Sequence, residues 1–231
     1  MRIAMVADLH GNWPATQAME KALSRRQTDE IWFLGDAVGK GPENALTCDW
    51  VMRNCTRCVG GNWDYGIGGK EYEADEYYWN QLGEKRMEWL RTLPPEIEAE
   101  LSGTCFRLFH GRPVTELMQV QDDKVKLGAA FRANGKTYGG VIFADSHRPF
   151  IRTLAEGYMI NCGSVGNSLG VPRAHALILD AQPGMDAAEM EMTILSVPYD
   201  NQAAVKAALA SPGHPFTDAY ITEVTTGVYS R

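Results

Sequence analysis

Apolar runs of strand length alternate with helix-period stretches over the first sixty residues. Residues 2–7 (RIAMVA), 31–35 (IWFLG) and 58–60 (CVG) read as strands, and residues 14–24 and 43–54 read as helices, with Pro14 in a first turn. That β-α-β-α-β order predicts neighbouring parallel strands with helices packed over them. Residues 65–100 depart from it, being acidic, aromatic and helical in period, with Pro94 and Pro95 closing the helix. They are expected to form a helical excursion, a candidate lid. Tyr72, Tyr77, Tyr78 and Trp79 there offer stacking surface to a nucleobase, or serve as core or as an oligomer contact. Further strand-like runs come at 105–109, 139–144, 158–161, 175–180 and 190–197 with little helix between them, which predicts an antiparallel or mixed sheet. Gln182-Pro183-Gly184 marks a turn, and a final helix is expected over 202–210. The whole chain, 1–231, is expected to be one domain, with residues 181–231 adding a C-terminal strand and helix.

Composition narrows the partners. The net charge of −7, with no basic run longer than Ser24-Arg25-Arg26, argues against extended nucleic-acid binding. Neither a secretory leader nor an apolar stretch of membrane-spanning length is visible, so a cytoplasmic location without membrane attachment is expected. Five cysteines scattered through apolar surroundings fit a reducing compartment, and Cys55-x-x-Cys58 is read as a pair of buried structural thiols.

The chemistry lies in where the polar residues fall. The first apolar run ends in Asp8-Leu9-His10-Gly11-Asn12, the second in Asp36, and the third in Asn62-Trp63-Asp64. Residues 105–109 lead into His110-Gly111, and residues 141–144 into Asp145-Ser146-His147. Ligands collect beyond the carboxyl ends of strands in open α/β sheets. Asp8, His10, Asp36, Asn62, His110, Asp145 and His147 together supply enough oxygen and imidazole donors for two metal ions. The two remaining histidines, His175 and His214, fall outside the pattern and are read as structural.

These motifs, in this order, resemble those of the calcineurin-like metallophosphoesterases, in particular the compact bacterial and archaeal phosphodiesterase branch. Gly35-Asp36-x-Val-Gly-x-Gly-Pro42, Gly61-Asn62-x-Asp64 and the later Asn161-Cys-Gly-Ser-Val-Gly166 segment extend the match across residues 1–180. The resemblance implies an α/β fold, a four-layer αββα sandwich of two mixed β-sheets flanked by helices. It implies that Asp8, His10 and His147 bind one divalent ion, that Asp36 bridges, and that Asn62 and His110 bind the second with residue 145. It further implies hydrolysis of a phosphodiester or activated phosphomonoester by a metal-bridging hydroxide, with Asn62 and His110 stabilising charge; Asp64 is read as assisting or as only orienting its neighbours. The substrate is expected to be small and phosphorylated, a nucleotide among the candidates. Asn12, Arg112 and Arg148 are candidates for contacting it. Dinucleoside polyphosphate hydrolysis, protein phosphatase activity and a non-catalytic protein-binding scaffold are the alternatives, and the oligomeric state is open.

Three positions depart from the family pattern. Asp145 stands where the motif Gly-His-x-His has its first His, which as a ligand would favour manganese, iron or magnesium, with zinc or nickel as alternatives. Such a site would be less attractive to a phosphate dianion, and Arg112 and Arg148 are candidates to restore the attraction. Trp63 replaces a His proposed to protonate the leaving group, which favours substrates with good leaving groups. Arg112, where relatives often have Ser, would grip phosphate or pair with the acidic segment 71–76.

Overall fold

The computed structural model describes residues 1–230. Strands β1 (Arg2–Val6), β2 (Glu30–Leu34) and β3 (Arg57–Val59) alternate with helices α1 (Trp13–Arg25) and α2 (Asn44–Asn54). Then come α3 (Asn62–Gly68), a single 3₁₀ turn, α4 (Glu76–Thr92), β4 (Glu96–Leu101) and β5 (Thr104–Phe109). Helix α5 (Lys124–Ala129) precedes a small hairpin of β6 (Arg132–Ala133) and β7 (Lys136–Thr137). Strands β8 (Gly140–Phe143), β9 (Phe150–Thr153), β10 (Tyr158–Asn161), β11 (Ala174–Asp180) and β12 (Glu191–Val197) come next. Helices α6 (Asn201–Leu209) and α7 (Thr217–Thr226) complete the elements.

Two five-stranded mixed sheets result, in the orders β12-β11-β1-β2-β3 and β4-β5-β8-β10-β9. Each has a parallel core, β1-β2-β3 in one and β5-β8-β10 in the other, with antiparallel strands outside it. Period-two alternation sorts the β1 side chains: Ile3 and Met5 face the second sheet, and Ala4 and Val6 face the helices. Between the sheets, Trp32, Leu34, Phe106, Leu108, Ile142 and Ile160 form a buried apolar layer. On the outer side of the first sheet, Phe33 packs against Met19, Trp50 and Leu90 of α1, α2 and α4. The outer side of the second sheet, with Phe109, Val141 and Phe143, is covered by the short α5 and by Phe131. The architecture is thus helices, sheet, sheet and a thin outer helical layer, as the resemblance implied. No helix among the described residues is long and apolar enough to cross a membrane.

The structure corrects two details of the sequence reading and decides one alternative that it left open. The excursion is helical only to Thr92; Glu96–Leu101 is an edge strand, because Pro94-Pro95 stops the helix and the glutamates at 96, 98 and 100 alternate with apolar residues. Of its four highlighted aromatics, Tyr78 is core and Tyr77 and Trp79 pack against the core, leaving Tyr72 exposed. A second C-terminal helix, α7, comes after the one expected, with Gly227 in the left-handed region ending it.

Burying Leu108 between the sheets contributes about 2 kcal/mol from surface removal alone. Leu108→Ala is expected to lower stability by about 2–5 kcal/mol in chemical denaturation, because both flanking sheets are too constrained to close the void. A loss below about 1 kcal/mol would mean that the inter-sheet layer is not close-packed as described.

Candidate metal centre

The parallel strands of both sheets point their carboxyl ends at one place. The turn after β1 carries Asp8 and His10, that after β2 Asp36, and the start of α3 Asn62. The turn after β5 carries His110, and that after β8 Asp145 and His147. Asp8, His10, Asp36, Asp145 and His147 all adopt left-handed backbone conformations, with φ between 45° and 65°. Each costs roughly 1–2 kcal/mol for a residue with a Cβ, so packing alone would not select five of them in one place. Backbone bonds between the loops hold them: Asp8 N–H donates to the Gly35 carbonyl at 2.9 Å and His10 N–H to that of Asp36 at 3.2 Å.

All three histidines are oriented the same way. The Nδ1–H of His10 donates to the Val38 carbonyl (3.0 Å), that of His110 to Leu34 (2.7 Å) and that of His147 to Asn167 (2.6 Å). A carbonyl can only accept, so each Nδ1 carries the hydrogen and each Nε2 turns toward the centre. His10 Nε2 and His147 Nε2 lie 3.3 Å apart, with Asp8 Oδ1 at 3.7 and 3.5 Å from them. His110 Nε2 is 3.2 Å from Asp36 Oδ2 and 3.7 Å from Asp8 Oδ1, and Asp36 Oδ2 is 3.6 Å from His10 Nε2. Two convergent donor groups emerge, Asp8-His10-His147 and Asp8-Asp36-His110, and the Asp8 carboxylate is common to both.

The donor set fits divalent cations. Both carboxylate oxygens of Asp8, Oδ1 of Asn62 and Nε2 of His110 are buried without a hydrogen bond. Lone pairs that face one another in a buried site are costly unless a cation satisfies them. Electrostatics agree. Burial raises the Asp8 pKa well above the usual carboxylate range, opposed by His110 and reinforced by Asp36 and Asp145. Burial works against a charged His110, yet Asp36, Asp8 and Asp145 carry its pKa well above the ordinary value. His147 goes the other way, lowered by burial and by Lys40.

The remaining sequence candidates divide. Asp145 lies outside both donor groups; its carboxylate accepts from the Arg112 backbone N–H (2.9 Å), from Nε (2.9 and 3.2 Å) and from Nη2 (2.6 Å). Burial opposes the charged form of Asp145, but Arg112 and His110 hold its pKa below the normal range. Arg112 therefore pairs with Asp145, not with the acidic segment 71–76. Arg148 is exposed on the cleft above the donors. For Asp64 it is the assisting role that is corrected, because it lies beneath the site with its oxygens accepting from Asp36 N–H (2.8 Å), Ala37 N–H (2.9 Å) and Gly61 N–H (3.1 Å), as the orienting role requires. Burial and the nearby Asp36 push its pKa up to about 7. It thereby positions the Asp36 turn. Asn12 is also corrected: fully buried, it caps α1 by accepting from Ala15 N–H and donates to the Gly166 carbonyl, away from the cleft.

Ser164 and Asn161 stitch the loops. Ser164 Oγ donates to the Asp8 carbonyl (2.9 Å), and Asn161 Nδ2 to the Ala144 carbonyl (2.6 Å). His175 bonds Ser168 and His214 bonds Lys40 and Thr217, in keeping with structural roles. Burial raises the Cys55 thiol far above its ordinary pKa and Cys58 to about 12, consistent with inert thiols. Sequence reasoning missed Lys40, Asn167 and Glu223. Lys40 Nζ donates to Asn167 Oδ1 (2.9 Å) and faces Glu223 Oε2 (3.5 Å), beside the carbonyl that orients His147. Lys40 sits inside a recognisable motif, whereas nothing local marks Asn167 or Glu223.

Two predictions test this geometry. A Cβ on Gly61 would collide with Asp36 Oδ1, so Gly61→Ala is expected to weaken manganese binding by about tenfold or more in calorimetry while leaving the circular dichroism spectrum unchanged. Unaltered affinity would place Asp36 outside the metal set. The second concerns pH. Asp8, Asp64 and His110 have raised pKa values in the fold, so the stability they contribute is present at low pH and fades as pH rises through those values. His147, shifted down, has the opposite slope, confined below its unfolded value of about 6.5. Between pH 6.5 and 8 the metal-free protein should therefore lose thermal stability, and added manganese should raise Tm more at pH 8 than at pH 6.5. An equal or smaller increment at pH 8 would contradict the assignment.

Comparison with known proteins gives a consistent result. The model of the calcineurin-like phosphoesterase superfamily domain matches residues 1–184. An uncharacterized protein of Methanocaldococcus jannaschii is 30% identical, over 87% of this chain and 89% of that protein. A symmetrical bis(5'-nucleosyl)-tetraphosphatase of Erwinia tasmaniensis is 28% identical over 112 residues, 41% of this chain and 39% of that one. The crystal structure of a metallophosphoesterase from Sphaerobacter thermophilus superposes with a TM-score of 0.76 at 22% identity, covering 99% of both chains.

Proposed function

This chain belongs to the calcineurin-like phosphoesterase superfamily and is a metallophosphoesterase, and we propose that it hydrolyses phosphodiesters or activated phosphomonoesters at the strand-end donor cluster. The observation that supports this most is the convergence of unsatisfied donor atoms on Asp8, Asn62 and His110 in a buried site. A protein-binding scaffold would gain nothing from keeping them.

Asp8, His10 and His147 would hold one divalent ion, and Asp36, Asn62 and His110, with Asp8 adjacent, would hold another. Bound there, such ions would offset phosphate charge and lower the pKa of water, the usual supply of nucleophile in this class of site. The oxygen-rich donors favour manganese, iron or magnesium. The protein's own contribution is orientation and charge. In our reading Asp145 serves Arg112 and is not a ligand: it holds the Nε–Nη2 edge of the guanidinium, leaving Nη1 for a phosphate oxygen. Arg148 adds a second cation on the cleft. Trp63, edge-on to His10 at 5.7 Å between ring centres, occupies the side from which a leaving-group acid would act. Asp64 is committed to backbone N–H groups beneath the site, and the indole at position 63 is no proton donor for a poor leaving group. Aryl, nucleotidyl and phosphoanhydride leaving groups are therefore favoured. The similarity to a bis(5'-nucleosyl)-tetraphosphatase over part of the chain keeps phosphoanhydride hydrolysis as the second reading.

With manganese, bis(4-nitrophenyl) phosphate is expected to be cleaved, and Asp36→Asn to lower kcat/KM by about three orders of magnitude or more. Wild-type inactivity on diester, monoester and anhydride substrates, with no metal bound, would refute the reading. Asp145→Asn is expected to leave metal content unchanged in elemental analysis and to raise KM by about tenfold, since it frees Arg112. Loss of one metal equivalent would instead make Asp145 a ligand.

A further inference from the structure

The match to the family domain ends at residue 184, yet residues 214–230 supply part of the cleft wall. Above the donor cluster lies a cavity of about 810 Å³, within the range of small-molecule sites. Its walls carry four aromatic rings from separate segments: Trp63 at the start of α3, Tyr72 before the 3₁₀ turn, Phe216 ahead of α7, and Tyr229 beyond its end. Tyr72 and Tyr229 are more than half exposed, so they are not part of a packed core. Lys40 lies among them, 5.8 Å from the centre of the Tyr229 ring.

The C-terminal segment is docked on the site. Glu223, fully buried on α7, accepts from Asn167 Nδ2 at 2.9 Å, and Asn167 is the residue whose carbonyl orients His147. The other carboxylate oxygen of Glu223 accepts from Ser230 N–H at 3.2 Å, which ties the chain end down beside Tyr229. At Gly227 the backbone turns left-handed (φ 70°) and its carbonyl accepts from Gly170 N–H at 2.7 Å. His214 Nε2–H donates to the Lys40 carbonyl at 2.7 Å. Residues 214–230 are thereby anchored to the loop that carries Lys40 and to the loop after β10, whose Asn167 carbonyl orients His147.

We propose that residues 214–230 form a specificity wall, in which Phe216 and Tyr229, lining the same cleft as Trp63 and Tyr72, hold a planar aromatic group of nucleobase size attached to the phosphate. This rests on the phosphoesterase reading above, because the phosphate end must meet the donor cluster. Aromatic faces accept any planar base, and Lys40, on the same cleft beside Tyr229, favours an anionic linker.

The test compares adenosine 5'-monophosphate with ribose 5-phosphate, which has an anomeric hydroxyl in place of the base, in calorimetric titrations of the manganese-loaded protein. The nucleotide is expected to bind about tenfold or more tightly. Tyr229→Ala and Phe216→Ala should each narrow that ratio toward one, leaving ribose 5-phosphate affinity within about twofold. Tyr229 is exposed, so its replacement leaves the fold in place, which a melting curve checks. Equal affinities in the wild type, no binding of either ligand, or a parallel loss for both ligands in the variants would overturn the wall. Hydrolysis of bis(4-nitrophenyl) phosphate by the same preparation reports separately on the phosphoesterase reading.

Discussion

Three backbone carbonyls, those of Leu34, Val38 and Asn167, decide the character of this protein. Each accepts an Nδ1–H from a buried histidine and so commits that ring to one tautomer and one orientation. The Nε2 atoms then converge on Asp8 and Asp36 in the protein interior. A buried cluster of lone pairs and carboxylates is unfavourable by itself and becomes favourable around cations. The fold's rigidity serves to maintain that arrangement.

Two sheets are needed to build it. Parallel strands β1, β2 and β3 of one sheet and β5 and β8 of the other end on the same side, so their turns meet across the inter-sheet layer. Neither sheet alone supplies a complete set: the first brings Asp8, His10, Asp36 and Asn62, and the second His110 and His147. The left-handed turns shorten the path from strand end to ligand and are held by cross-loop bonds from Asp64, Ser164 and Asn161. Asp64 illustrates the division of labour. Its carboxylate has the chemistry of a proton donor, but its bonds to three backbone N–H groups make it a brace for the Asp36 turn.

The pair of Arg112 and Asp145 shows how a donor position can change use. A carboxylate at position 145 meets a guanidinium from the neighbouring turn, and the bidentate contact is more favourable than leaving either charge alone in a half-buried cleft. The site thereby gains an oriented cation at its mouth. With Lys40 and Arg148 it makes three cationic side chains lining a cleft in an otherwise acidic protein.

Local pattern along the chain was enough to reveal most of the longer strands, the parallel character of the first half and the polar residues that end those strands. Apolar periodicity and the polar residues that interrupt it are properties of neighbouring positions. Asp8-x-His10 and Asp36 were legible because each directly follows an apolar run. Packing in three dimensions settled the rest: Asp145 turns to Arg112, Asp64 and Asn12 face inward, and Phe216, Glu223 and Tyr229 return over the cleft. Those outcomes depend on which turns of two separate sheets come together and on which polar groups find partners there. Contacts between residues so far apart in the chain leave no periodicity in it, so only the packed fold, where each buried donor and acceptor must be satisfied, could select them.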